Sequence, residues 1–291
     1  QIDAMAARAA AANCDVVIAI GGGKAIDTAK GVRIQRGGGI IVVPTVASND
    51  APTSRLAIVY TDDHVLKEVR LMPTNPDAVV VDTSIIARAP RRFFVAGIGD
   101  ALSKKFEAEQ CYKSGGMNFY KARPAALAVS IADQCYQVIR RDALASLAAA
   151  DRKEPDEAFE NIVEATILLS GLGFESGGLS IAHSLTRGFS ALSSLNGALH
   201  GEQVAFGLLT QLCLEGRSPE FLTDMTGFFR ALGLPTSLKD MGLSGDVEEG
   251  IRTIAQRSIA EAPYLKQFAG PVTEQNLIAA LEKANGLGIL A

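Results

Sequence analysis

Val16-Val17-Ile18-Ala19-Ile20-Gly21-Gly22-Gly23-Lys24 is the stretch on which the reading of the fold turns. Its first five residues are a β-branched apolar run closed by glycines, which reads as a buried strand. Residues 25–32 then carry a helical pattern. Glycines between a strand and a helix let the backbone come close to a ligand. The helix N-terminus offers free N–H groups and the positive end of a dipole to an anion. Lys24 adds a formal charge, so the physics suits a phosphate group. Two familiar labels do not fit. A P-loop needs Ser or Thr after the lysine, where Ala25 stands. The Gly-x-Gly-x-x-Gly pattern needs a small residue where Ile26 stands. Taken alone, the stretch is equally a tight strand-to-helix turn.

Outward from it, residues 37–39 form a glycine turn, 40–43 a second strand ended by Pro44, and 79–81 another short strand. Residues 56–60 alternate less clearly and lead into the polar turn Thr61-Asp62-Asp63-His64. Strands alternating with helices indicate βαβ units around a parallel sheet. Beyond Ala89-Pro90 the character changes. Residues 101–112, 122–140, 157–171, 180–192 and 203–214 carry apolar side chains at three- and four-residue spacing, with no strand among them. The expected division is therefore an α/β domain over residues 1–90 and an all-helical one over 91–291, with a ligand cleft between them. Upstream, Ile2, Met5, Ala6 and Ala9 keep helical spacing. The sequence opens in mid-pattern at Gln1, so a section ahead of it is expected.

Composition narrows the function classes. The 291 residues are 48% hydrophobic and carry a net charge of −4, which does not make a nucleic-acid surface. The pairs Arg91-Arg92 and Arg140-Arg141 are too short to change that. No apolar run approaches the roughly 18 residues that a membrane span needs. The four cysteines, Cys14, Cys111, Cys135 and Cys213, lie far apart without Cys-x-x-Cys spacing, and reduced thiols in a cytoplasmic enzyme are the plain reading.

Residues 44–54, Pro-Thr-Val-Ala-Ser-Asn-Asp-Ala-Pro-Thr-Ser, follow a strand's carboxyl end, which in an α/β sheet faces the ligand crevice. Hydroxyls and amides there can hold a ribose or a nicotinamide, and Asp50 a substrate hydroxyl. A turn rich in Ser, Asn and Asp is the bland alternative. Of three histidines, His64 sits in the charged turn and reads as exposed. His183 follows an apolar, small-residue helix start, and His200 just precedes the helix 203–214. Asp100 sits at another helix start, where a helix N-cap is the ordinary reading. Spacing alone does not make these three a metal site.

The chain resembles the glycerol dehydrogenases of the iron-containing (type III) alcohol dehydrogenase family. The matching stretches are Gly21 to Lys30, Pro44 to Ser54, Gly97 to Ala101 with Phe106-Glu107-Ala108, Gly173 to Leu179, and His200-Gly201-Glu202 with Val204-Ala205-Phe206-Gly207. They fall in family order along the whole chain. The resemblance implies a Rossmann-like parallel-sheet domain followed by a helical one, with the active site between. It implies NAD and Zn2+ as cofactors, and Asp100, His183 and His200 as ligands of the catalytic metal that also meet the substrate. It makes Gly23, Lys24, Ala25, Ile26 and Asp27 the pyrophosphate loop. Thr45, Val46, Ala47, Ser48, Ser54, Leu56 and Tyr60 become further NAD contacts, and Asp50 the polyol-contacting carboxylate. It implies a homo-oligomer and further strands ahead of Gln1 that bear the acidic ribose ligand.

One departure bears on the metal. Iron-type members carry a further His where Lys104 stands, so one carboxylate with two imidazoles favours zinc. Lys104 is expected to point away from Asp100. The activity implied is oxidation of glycerol to dihydroxyacetone, or of a related vicinal diol, with NAD as hydride acceptor. Glycerol-1-phosphate dehydrogenase and dehydroquinate synthase are rival readings, disfavoured by the negative Asp50 where a phosphorylated substrate needs cations. A non-catalytic metal-binding or assembly protein is the rival outside enzymes.

Overall fold

A computed structural model describes residues 1–60 and 66–289, so His64 and the rest of the turn 61–65 lie outside the described residues. Helix α1 (Ile2–Ala11) leads into β1 (Val16–Gly21), α2 (Gly23–Arg36) and β2 (Gly39–Pro44). β1 and β2 pair in parallel, Val16 opposite Gly39 through Gly21 opposite Pro44. The chain then makes a loop, residues 45–55, and an antiparallel hairpin of β3 (Leu56–Tyr60) and β4 (Leu66–Leu71) before β5 (Ala78–Val79) joins β2. The parallel sheet has the order β1-β2-β5, and the hairpin is a separate two-stranded sheet. Residues 56–60 therefore do not extend the parallel sheet. In their partner β4, Leu-Lys-Glu-Val-Arg-Leu, Val69 and Leu71 stand exposed.

Pairing puts the carboxyl ends of β1 and β2 side by side. The sheet core is small: Ala19, Ile26, Ala29, Ile40, Val42 and Met72. Among the described residues β1 lies at one end of this sheet, and Val16, Ile18 and Ile20 on one of its faces are exposed.

Among the described residues from Thr83 onward all regular structure is helical: α3 (Thr83–Arg88), α4 (Arg91–Ser114), α5 (Ala126–Arg152), α6 (Glu157–Glu164), α7 (Ser170–Gly177), α8 (Ile181–Phe189), α9 (His200–Leu214), α10 (Pro219–Leu232), α11 (Val247–Glu261) and α12 (Glu274–Ile289), with short 3-10 turns between. A π-helical turn, Ala165–Leu169, joins α6 to α7 without a break. No single helix among the described residues is long and apolar enough to cross a membrane. The main core lies among these helices, around Ile98, Leu102, Phe106, Phe159, Phe189, Phe206 and Phe229.

α4 begins at Arg91, ten residues earlier than periodicity indicates, so Asp100 is buried in mid-helix and is no N-cap. Glycines hid that start. Gly97 and Gly99 are poor helix formers, kept here for contact. A Cβ on Gly97 would collide with the Ala47 carbonyl of the 45–55 loop, and one on Gly201 with the Ala96 carbonyl. These bare positions let the loop and α9 lie directly against α4. Gly97→Ala is expected to cost about 1–3 kcal/mol of stability, read as a lowered urea midpoint. An unchanged midpoint would contradict the close approach.

Candidate active site

Asp100, Lys104 and Glu107 are spaced at i, i+4 and i+7 on α4, which puts them on one helix face. All three are buried. Opposite them, α8 starts at Ile181 without a side-chain cap from its own N-terminus. Glu107 supplies that cap from α4. Its Oε1 accepts the backbone N–H of Ser180 at 2.8 Å and of His183 at 3.0 Å. Its Oε2 lies 2.5 Å from His183 Nδ1. One carboxylate thus satisfies orphan donors of the helix start and holds the ring, so that Nε2 faces Asp100. Burial tends to raise the Glu107 pKa, and His183 and Lys104 outweigh it and hold it below the usual value. Burial likewise tends to lower the His183 pKa, and the Glu107 charge brings it above the ordinary value.

His200 is the first residue of α9. Glu202 fixes this turn by accepting the Leu199 N–H at 2.7 Å, and Arg92 grips the same carboxylate at 2.6 and 2.7 Å. His200 stands at the rim, with 46% of its side chain exposed. His183 Nε2 is 3.1 Å and His200 Nε2 3.8 Å from Asp100 Oδ1, and the donor atoms of all three residues lie within 4.8 Å of one another. Donors held about 2.0–2.2 Å from one cation stand roughly 3–3.5 Å apart. The Asp100 and His183 donors meet that spacing, and His200 needs a small inward rotation. An acidic oxygen with two imidazoles fits a divalent ion of the zinc type.

Lys104 does not turn away from Asp100. Its Nζ lies 2.7 Å from Asp100 Oδ1, 3.0 Å from His183 Nε2 and 3.2 Å from Asp50 Oδ2, with the side chain 1% exposed. The reason is electrostatic. Buried carboxylates need a counter-charge, and the i+4 position delivers one. Burial opposes both charges, yet Lys104 holds Asp100 far below the carboxylate range, and the carboxylates raise the Lys104 pKa.

The 45–55 loop carries this cluster to the glycine turn. Asp50 accepts a hydrogen bond from Ser170 Oγ at 2.6 Å, and Thr53 Oγ1 donates to the Ile167 carbonyl of the π turn at 2.5 Å. Glu175 accepts the Arg55 N–H at 2.8 Å and the Asn75 side-chain amide at 2.5 Å. On the far side, the Thr45 N–H donates to the Gly21 carbonyl at 3.1 Å, and a Cβ on Gly23 would touch Asn49 Nδ2. Gly21, at φ +147°, has no room for a Cβ beside Ala25. No side chain caps α2, whose N-terminus begins at Gly23.

The residues expected around a dinucleotide fall into two groups. Gly23, Lys24, Ala25, Thr45, Val46 and Ser48 keep accessible surface near this turn. The side chains of Ile26, Ala47 and Ser54 are buried. Ala47 packs under Gly97, and Ser54 accepts from the buried Lys30 ammonium at 3.2 Å. Lys30 Nζ also donates to the carbonyls of Ala51 at 2.6 Å and Leu56 at 2.7 Å. Leu56 opens β3; the Tyr60 backbone closes it, and the Tyr60 side chain lies outside what the structure describes. Sequence reasoning gave no role to Glu107, Ser170, Glu175 or Lys30. For Glu107 the i+7 spacing from Asp100 was the available signal. The other three show nothing until the loop is docked.

The Asp27 carboxyl turns inward beside Lys30 and the Ile58 backbone, and its Oδ1 is buried without a partner. Burial pushes its pKa up to about 6, against the pull of Lys30.

Three comparisons place this architecture. A sequence model described as iron-containing alcohol dehydrogenase matches residues 1–90. A glycerol dehydrogenase of Thermotoga maritima is 39% identical over 274 residues, covering 94% of this chain and 75% of that protein. A glycolaldehyde reductase of Halobacterium salinarum is 38% identical, covering 99% of this chain and 79% of that protein. The crystal structure of a probable glycerol dehydrogenase from Sinorhizobium meliloti 1021 superposes with a TM-score of 0.94 at 39% identity, over 99% of this chain and 81% of that one. Fold and relatives define an oxidoreductase of the alcohol dehydrogenase kind. Within that class the chain belongs to the glycerol dehydrogenases of the iron-containing alcohol dehydrogenase family.

Asp27 also gives a pH signature. The folded chain keeps the Asp27 proton up to pH about 6, whereas the unfolded chain releases it near pH 4. Stability from this group is therefore full below pH 4 and is lost as pH rises to 6. Asp27→Asn removes the titration. In urea melts from pH 4 to 8, the stability of wild type relative to D27N should fall between pH 4 and 6 and then level off. A difference that stays flat over that interval would contradict the buried carboxyl.

Proposed function

We propose that this chain is an NAD-dependent, zinc-dependent dehydrogenase that oxidises glycerol, or a related vicinal diol, to a hydroxyketone such as dihydroxyacetone. The carrying observation is the single loop that touches the glycine turn at Thr45 and the acidic–imidazole cluster at Asp50. The names of the relatives support the substrate class. Residues 1–90 would hold the dinucleotide and residues 91–291 the metal, as parts of a cytoplasmic homo-oligomer.

In this reading Asp100, His183 and His200 hold the divalent ion, and Glu107 keeps the His183 ring aimed at it. When bound, the ion supplies Lewis acidity that eases deprotonation of a hydroxyl, and NAD takes the hydride. The rest is the work of the chain. The α2 N-terminus and Lys24 offer donors and positive charge to the pyrophosphate. Thr45, Val46 and Ser48 line the path from that turn towards the cluster. Asp50, held by Ser170, offers a carboxylate oxygen to a polyol hydroxyl and sets which carbon faces the nicotinamide. The same carboxylate disfavours a phosphorylated substrate.

Tag-free protein loaded with zinc should reduce NAD with glycerol, should turn over glycerol 1-phosphate poorly, and should consume NADH with glycolaldehyde if it shares that relative's activity. His183→Ala should lose both bound metal, read by mass spectrometry, and turnover. Full activity in H183A would remove this reading.

A further inference from the structure

We propose that Lys104 is a tethered competitor for the divalent cation: its ammonium occupies the position between Asp100 and His183, and metal enters only as Lys104 moves off towards Asp50. This inference rests on the ligand set given under Proposed function and gives Lys104 a part in metal uptake beyond its counter-charge to the buried carboxylates.

The geometry is specific. Lys104 Nζ makes its two shortest polar contacts, 2.7 and 3.0 Å, with Asp100 Oδ1 and His183 Nε2, the same two atoms that the metal needs. Where neutral His183 gives its Nδ1–H to Glu107 at 2.5 Å, Nε2 keeps one lone pair. That lone pair accepts an ammonium N–H or coordinates a cation, and cannot do both. The neighbourhood holds three buried carboxylates, Asp50, Asp100 and Glu107, against one ammonium. A divalent ion added to that set balances its formal charge with the imidazoles neutral, so Lys104 need not leave the pocket. Asp50 Oδ2, already 3.2 Å from Nζ, is the acceptor in reach, and the face of Phe174, 5.3 Å from Nζ, flanks the way.

In consequence the site keeps its donors gathered around a cation without metal, and it takes up metal against an internal rival. Asp50 keeps its bond from Ser170 while it receives the displaced ammonium more closely.

The test is metal affinity, measured by competition between stripped protein and a chromophoric zinc chelator. Lys104→Met should bind zinc at least about tenfold more tightly than wild type. Lys104→Gln, which keeps a neutral donor for Asp100, covers the case in which K104M does not fold and should shift the same way. Loss of a nearby positive charge also tightens binding through space, so a double-mutant cycle separates the causes. Asp50→Asn should weaken zinc binding by about tenfold more in wild type than in the K104M or K104Q background, because only wild type needs Asp50 to receive the ammonium. Equal affinity in wild type and both Lys104 variants would overturn the proposal and leave the metal reading standing. An equal Asp50 effect in all backgrounds would also overturn it. No zinc binding by wild type or by either variant would overturn both.

Discussion

Asp100 and Glu107 are carboxylates buried two turns apart on one helix face, and charge of that kind is tolerated only where cations and N–H donors surround it. Most of the site follows from meeting that requirement. Glu107 takes the free amides at the start of α8 and the Nδ1 of His183. Asp100 takes Lys104 and faces both imidazoles. The compensating groups come from α4 itself, from the start of α8 and from α9, so these three helices must pack at close range. The glycines of α4 and α9 make that possible.

The same logic joins the two parts of the chain. The loop after β2 has to reach from a glycine turn to a buried cluster, and its own polar backbone must be satisfied along the way. Lys30 from α2 serves one side by donating to the Ala51 carbonyl, to the Leu56 carbonyl at the head of β3 and to the Ser54 hydroxyl. Ser170, Glu175 and the π turn serve the other. A π turn leaves a carbonyl out of the ordinary helical ladder, and here the Ile167 carbonyl receives Thr53. The loop thus couples the glycine turn to the cluster through hydrogen bonds rather than through apolar packing alone.

Much of this was legible beforehand, for identifiable reasons. β1, β2 and the turn at Gly21 were readable because β-branched runs bounded by glycine have few other uses. Asp100, His183 and His200 were singled out by family resemblance, since residues so far apart leave no local pattern. The hairpin strand β4 was missed because its charged residues resemble a loop, and the start of α4 because its glycines lower helix propensity. Lys104 was misjudged by reasoning about a metal alone. With several carboxylates buried around it, the lysine is drawn in rather than expelled. Lys30 and Glu175 escaped because their partners lie in and beside a loop whose course only the fold defines.

The central claim is that three side chains from three helices converge on one divalent ion. X-ray absorption at the zinc edge of the loaded protein examines it most directly. A first shell of nitrogen and oxygen at about 2.0–2.1 Å, with outer-shell scattering from two imidazoles, is the expected result. A sulfur at about 2.3 Å, or the signature of a single imidazole, would contradict the assignment of Asp100, His183 and His200.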